Sequence, residues 1–134
     1  MTRYGIDAPT LLRLVAEDTP VSAAHQLVAP NLIRSQALAY LLRAVNDGEL
    51  TEQEALARHE RVTELKIRLL GDRMSRRTAW RIAREQGWDT TFEAEYLAVT
   101  RLQADALVTV DPALSGKARD LVPLAPFEAL FVDQ

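Results

Sequence analysis

Tyr4-Gly5-Ile6-Asp7 opens the chain, and Ala106-Leu107-Val108-Thr109-Val110-Asp111 stands near its other end; both are short apolar runs that finish on an aspartate. Each reads as a buried strand. β-Branched or aromatic residues dominate, charges are few, and a helix-starting Ala8-Pro9 or Pro112 follows at once. Helical patterns fill the chain between the two runs, so the strands are expected as parallel neighbours in a sheet covered by helices. In such sheets ligands bind outside the carboxyl ends of the strands, where the strand order switches. Two aspartates placed there, far apart in sequence, can meet at one point, which is how an oxygen-ligand metal site is built.

Working outward from the first run, a helix is expected from Ala8 to near Thr19-Pro20, and Gln26-Leu27-Val28-Ala29, closed by Pro30, reads as a second strand. The pattern then predicts a long helix over Asn31–Asn46 that stops at Asp47-Gly48. Thr51 with Glu54 makes a capping box for a helix from Glu52 to about Leu65. Leu65-Lys66-Ile67-Arg68-Leu69-Leu70 alternates apolar with basic residues, as an exposed edge strand does. Further helices are expected over Asp72–Gln86, from a Thr90 or Thr91 cap to about Gln103, and over Pro112–Arg119. Leu121-Val122-Pro123-Leu124 reads as a last edge strand, where proline is tolerable. The order is β-α-β-α-α-β-α-α-β-α-β, an α/β chain with a parallel sheet of four to five strands.

At 134 residues, 48% apolar and 26% charged, the chain suits one globular domain with a sizeable core. No apolar stretch approaches the roughly 20 residues of a membrane helix, and the first residues lack a signal-peptide pattern, so the cytoplasm is the expected compartment. The absence of cysteine excludes disulfides, thiolate zinc sites and cysteine nucleophiles. A net charge of −3 gives no global pull toward nucleic acid, so any such binding must come from a local patch. His25 and His59 have no partner at a recognisable spacing and are expected at the surface. Ser22, Ser35 and Ser75 lie in no nucleophile elbow, and the five glycines form no phosphate loop.

Magnesium and manganese prefer carboxylate oxygens, and Asp7 and Asp111 are the two best placed to supply them. Both also sit where a helix cap would sit. The chain resembles the PIN domain family, and within it the VapC-type toxins of bacterial toxin–antitoxin pairs. Tyr4-Gly5-Ile6-Asp7-Ala8, Leu27-Val28-Ala29-Pro30-Asn31-Leu32, Glu93-Ala94-Glu95-Tyr96-Leu97-Ala98 and Leu107-Val108-Thr109-Val110-Asp111 with Leu114 carry the resemblance, in family order. It implies a three-layer α/β/α sandwich and a ribonuclease site that binds Mg2+ or Mn2+ through three or four acids. The first and last family aspartates fall on Asp7 and Asp111. The second acid, a glutamate in the family, is replaced by Gln36, and Glu93 stands where the third is usually an aspartate. A glutamine amide is neutral, so the metal should be held more weakly; Glu93 keeps the charge on a longer arm. Glu95 rivals Glu93, but two residues apart on a helix they point about 160° away from each other.

The resemblance thus implies an endoribonuclease in which Asp7, Glu93 and Asp111 hold the metal and act in catalysis, with Gln36, Thr109 and Glu95 as possible support. An antitoxin partner and a homodimer are implied in the same way. The alternative is a PIN-like module that has lost catalysis and binds RNA or protein, or, apart from the resemblance, a small interaction domain whose aspartates are caps.

A second constellation is basic. On the Asp72–Gln86 helix, Arg73, Arg76, Arg77, Arg81 and Arg84 fall within an arc of roughly 140°, with Trp80 inside it and Met74, Thr78, Ala79 and Ile82 opposite. Arginines neutralise phosphates and a tryptophan can stack a base, so this face suits RNA. An antitoxin or dimer contact, or a plain solvated face, fits the same pattern.

Overall fold

The computed structural model describes residues 1–133. In chain order the elements are β1 Thr2–Ile6, α1 Ala8–Glu17, β2 His25–Pro30, α2 Leu32–Asn46, α3 Glu52–Glu64, β3 Ile67–Leu70, α4 Arg73–Gln86, α5 Phe92–Gln103, β4 Ala106–Val108, α6 Pro112–Ala118 and β5 Leu124–Ala125, with a closing 3-10 turn over Phe127–Phe131. The five strands form one sheet in the order β3-β2-β1-β4-β5. Every neighbouring pair is parallel. The chain moves outward from β1 through β2 to β3, then crosses back to place β4 on the other side of β1. The switch in strand order therefore falls between β1 and β4, the two strands that end beside the aspartates.

Period-2 alternation divides the sheet residues between two cores. Tyr4, Ile6, Leu27, Ala29 and Val108 face α1, α2, α3 and the 3-10 turn, packing on Leu11, Ile33 and Leu130. Leu107 points the other way, into Leu97, Ile82 and Leu114 from α5, α4 and α6. Helices on both faces of a parallel sheet make the expected three-layer α/β/α sandwich. Gly5 lets one of those layers come close, since a Cβ at that position would drive into the buried Thr100 hydroxyl of α5.

The helix starts follow their local chemistry. Asp7, Thr51, Asp72 and Asp111 all cap with their side chains, and Thr51 with Glu54 forms the complete capping box. Gly87, at φ +71°, closes α4 in the left-handed conformation that glycine adopts without strain. No helix is long and apolar enough to cross a membrane.

Four local expectations are corrected. β4 stops at Val108 rather than running to Asp111, because the Val110 and Asp111 amides donate to the Thr10 and Thr109 hydroxyls instead of to a strand. The last strand is Leu124–Ala125 and not Leu121–Leu124: Val122 is buried in the second core, and the Pro123 carbonyl accepts from the Leu107 amide. Met74 is exposed rather than buried with Thr78, Ala79 and Ile82. His25 is buried rather than at the surface; its ring meets the edge of Tyr4, and Nε2 lies against the Val132 carbonyl.

Candidate metal site at the carboxyl edge of the sheet

Register brings the two aspartate segments together. Ile6 pairs with Val108, so the next residues, Asp7 and Thr109, emerge side by side at the carboxyl edge. The Thr109 hydroxyl donates to Asp7 Oδ2 at 2.6 Å and accepts from the Asp111 amide at 3.0 Å. Thr10, one turn into α1, gives its amide to Asp7 Oδ1 at 3.2 Å, and its hydroxyl meets the same oxygen. That hydroxyl also accepts from the Val110 amide at 3.1 Å, tying α1 to the β4–α6 turn. Asp111 Oδ1 accepts from the Ala113 amide at 3.0 Å. Both aspartates are therefore helix caps as well as members of one hydrogen-bonded unit.

Asp7 is the unusual group. It is 2% exposed, yet none of the ion pairs among the described residues involves it. Burial pushes its carboxyl above the ordinary value of 3.8, against the opposing pull of the bonds from Thr10 and Thr109. Its charge extends to the neighbouring phenol. Tyr96 is raised far above its usual range, first by burial and then by the negative charge of Asp7, so it stays neutral and donates to Gln36 Oε1. Gln36 is thereby oriented at the same edge with its amide oxygen fixed as an acceptor.

The two glutamates of α5 diverge as their spacing predicts, but neither completes the cup. Glu93 pairs with Lys117 of α6 at 2.6 Å, and Lys117 also lies 5.4 Å from the centre of the Trp88 ring. Glu95 is half-buried on the α4 side; burial raises its carboxyl, and the charge of Arg76 pulls it back down. Among the described residues no three Asp, Glu, His or Cys side chains converge closely enough to hold a metal ion. Of the expected set of Asp7, Glu93 and Asp111, Glu93 is held by Lys117, and among the described residues the three do not form such a group.

What remains still fits a hard divalent cation, on different terms. Magnesium keeps several waters and is commonly bound by one or two carboxylates together with the phosphates of its substrate. Asp7 and Asp111 offer that smaller set, and the Gln36 amide oxygen is held by Tyr96, whose phenol feels the Asp7 charge. A buried carboxylate with no positive partner is a group whose desolvation a cation would offset. A hollow of about 580 Å³ lies at the opposite, amino edge of the sheet, beside His25, Leu65 and Arg68. No carboxylate lines it, so it offers no rival cation site.

The arginines of α4 are exposed, as their arc predicts, and Trp80 is exposed with them. Thr10 and Tyr96 had no part in the site as read from sequence. Thr10 was the more legible of the two, lying three residues after Asp7 in the position a capping aspartate reaches.

No protein-family model matches the chain, and no curated protein matches it. Among solved structures, the crystal structure of PAE2754 from Pyrobaculum aerophilum is similar, with a TM-score of 0.75 at 24% sequence identity, over 96% of this chain and 92% of that one. The likeness extends to the fold.

Proposed function

We propose that the chain is a PIN-like, divalent-metal-dependent endoribonuclease with a weakened metal site, built on Asp7 and Asp111. The observation that carries this reading is the buried, unpaired Asp7 carboxylate at the strand-order switch, joined to Asp111 through Thr109. When bound, Mg2+ or Mn2+ would screen the charge of a scissile phosphodiester and make water a competent nucleophile near neutral pH. The chain's own residues do the rest. Asp7 and Asp111 supply the negative charge, Thr10 and Thr109 fix the Asp7 oxygens, and Tyr96 aims the Gln36 amide. The antitoxin partner and homodimer implied by the resemblance belong to the same proposal.

A second reading is a PIN-like module that binds without cutting. The neutral Gln36 and the Glu93–Lys117 pair favour it, because together they remove two of the charges the family site uses. Incubation of single-stranded RNA with the purified protein separates the two. Cleavage that needs Mn2+ or Mg2+, stops in EDTA and is lost in both Asp7→Asn and Asp111→Asn is the expected result. Binding with no cleavage under any metal would leave only the second reading; cleavage that persists in both variants would place the activity elsewhere.

A further inference from the structure

We propose that the exposed face of α4 is a binding track for single-stranded RNA, in which Trp80 stacks a base and the flanking arginines neutralise phosphates. The inference deepens the proposed function by supplying its substrate contact, yet it concerns a different surface from the aspartates.

Four observations carry it. First, Arg73, Arg76, Arg77, Arg81 and Arg84 are all exposed, and among the described residues none of them lies within ion-pair distance of a carboxylate. A plain solvated helix face is more often laced with opposite charges one turn apart. Here Asp72 and Glu85 each stand one turn from an arginine, Arg76 and Arg81, but five positive charges outnumber them on a chain whose net charge is −3. Second, Trp80 is 64% exposed in the midst of them. An indole left in water has no stabilising role in the fold, and burying it against a ligand recovers its apolar area. Third, Arg73, Arg76, Arg77 and Trp80 together form a shallow, largely open surface patch of three cations and one aromatic ring. That is the composition of surfaces that hold single strands, where bases stack on rings while cations follow the backbone.

The fourth observation is position. α4 begins just after β3, at the same carboxyl edge of the sheet as Asp7 and Asp111. The charge of Arg76 is felt by Glu95, and that of Glu95 by Tyr96, whose phenol holds Gln36. The track therefore starts on the same side of the sheet, with Glu95 and Tyr96 standing between Arg76 and Asp7, and leads along α4. From Arg73 to Arg84 it extends about 17 Å at the helical rise. A duplex keeps its bases stacked inside and offers nothing to Trp80, which is why the occupant is a single strand.

The test is made in EDTA, so that no divalent ion takes part. Binding of a fluorescein-labelled oligouridylate is followed by anisotropy across a salt series, for wild type, Trp80→Ala and the double variant Arg77→Ala/Arg81→Ala. All three positions are exposed, so the fold should be untouched. Trp80→Ala is expected to bind roughly tenfold more weakly at every salt concentration. The double arginine variant should show a log–log salt slope shallower by about 1.4, the loss expected for two phosphates of a single strand. Wild-type affinity and slope in both variants would overturn the proposal. So would equal competition by polyglutamate, which marks an acidic protein partner, or a dimer that Trp80→Ala dissociates, which marks a contact between copies. RNA binding without cleavage in Mn2+ would sink the nuclease reading alone. Metal-dependent cleavage by a protein whose α4 variants bind normally would sink this inference alone.

Discussion

Asp7→Asn is expected to melt about 3–5 °C above the wild-type chain in EDTA at neutral pH, and to lose any stabilisation by Mn2+. The first half follows from burial. Asp7 is enclosed with hydrogen-bond donors but, among the described residues, no cation, so its ionised form costs stability; an amide removes that cost, keeps one oxygen for Thr10 and can turn its NH2 to the second lone pair of the Thr109 hydroxyl. The gain, about 1 kcal/mol, is of the size found when a functional group is relieved of its strain, and for a domain of this length it corresponds to a few degrees. The sign with pH is fixed as well. A carboxyl whose folded pKa is raised above 3.8 contributes most to stability while protonated and loses that contribution as pH rises through the folded value. The gap between variant and wild type should accordingly close as the pH falls toward the ordinary carboxylate range.

The second half is linkage. An ion that binds only the folded chain stabilises it by RT ln(1 + [L]/Kd), about 1.4 kcal/mol at a tenfold excess over Kd. Wild type should therefore gain melting temperature with added Mn2+, and the variant should not. Melting curves at two pH values, with and without Mn2+, check both halves. A variant less stable than wild type in EDTA would mean that the charge of Asp7 serves the fold. Equal Mn2+ responses would mean that the ion sits elsewhere.

Gln36→Glu should tighten Mn2+ binding about tenfold, since affinity rises with the count of charged oxygens at the site. It should also raise the rate of any RNA cleavage. The same substitution is expected to lower stability in EDTA, because it adds a second carboxylate near one already short of positive charge. The Tyr96 phenol can still donate to the new carboxylate, so the side chain should keep its present direction. Calorimetric Mn2+ titration read beside melting curves in EDTA gives two opposite shifts from one change. Unchanged affinity with reduced stability would show that position 36 faces Asp7 but takes no part in ion binding.

Much of this architecture was legible in the residues. The capping aspartates Asp7 and Asp111, the capping box at Thr51 and Glu54, and the glycine stop at Gly87 are local signals whose physics needs no distant partner. Helical patterns between apolar runs were enough to imply a parallel sheet with covered faces. Most of the differences arise from contacts made far along the chain. Lys117 reaches Glu93 from another helix, and no feature of either segment announces the meeting. Thr10 closes β4 early by taking an amide from Val110, a hundred residues on. His25 looked like a surface residue because the Val132 carbonyl that meets it comes from the other end of the chain. At β5 the proline precedes the strand and contributes only its carbonyl. Met74 sits at the margin of the buried arc of α4, where period alone assigns sides poorly.

Every metal-dependent expectation requires a cation settled between the ends of β1 and β4. Sub-stoichiometric Mn2+ added to the 15N-labelled protein locates it directly, because the paramagnetic ion broadens only amide signals near it. Broadening centred on Asp7, Thr10, Thr109 and Asp111, and abolished in Asp7→Asn, is the predicted outcome. Broadening centred on any other cluster of acids, or uniform along the chain, would contradict it.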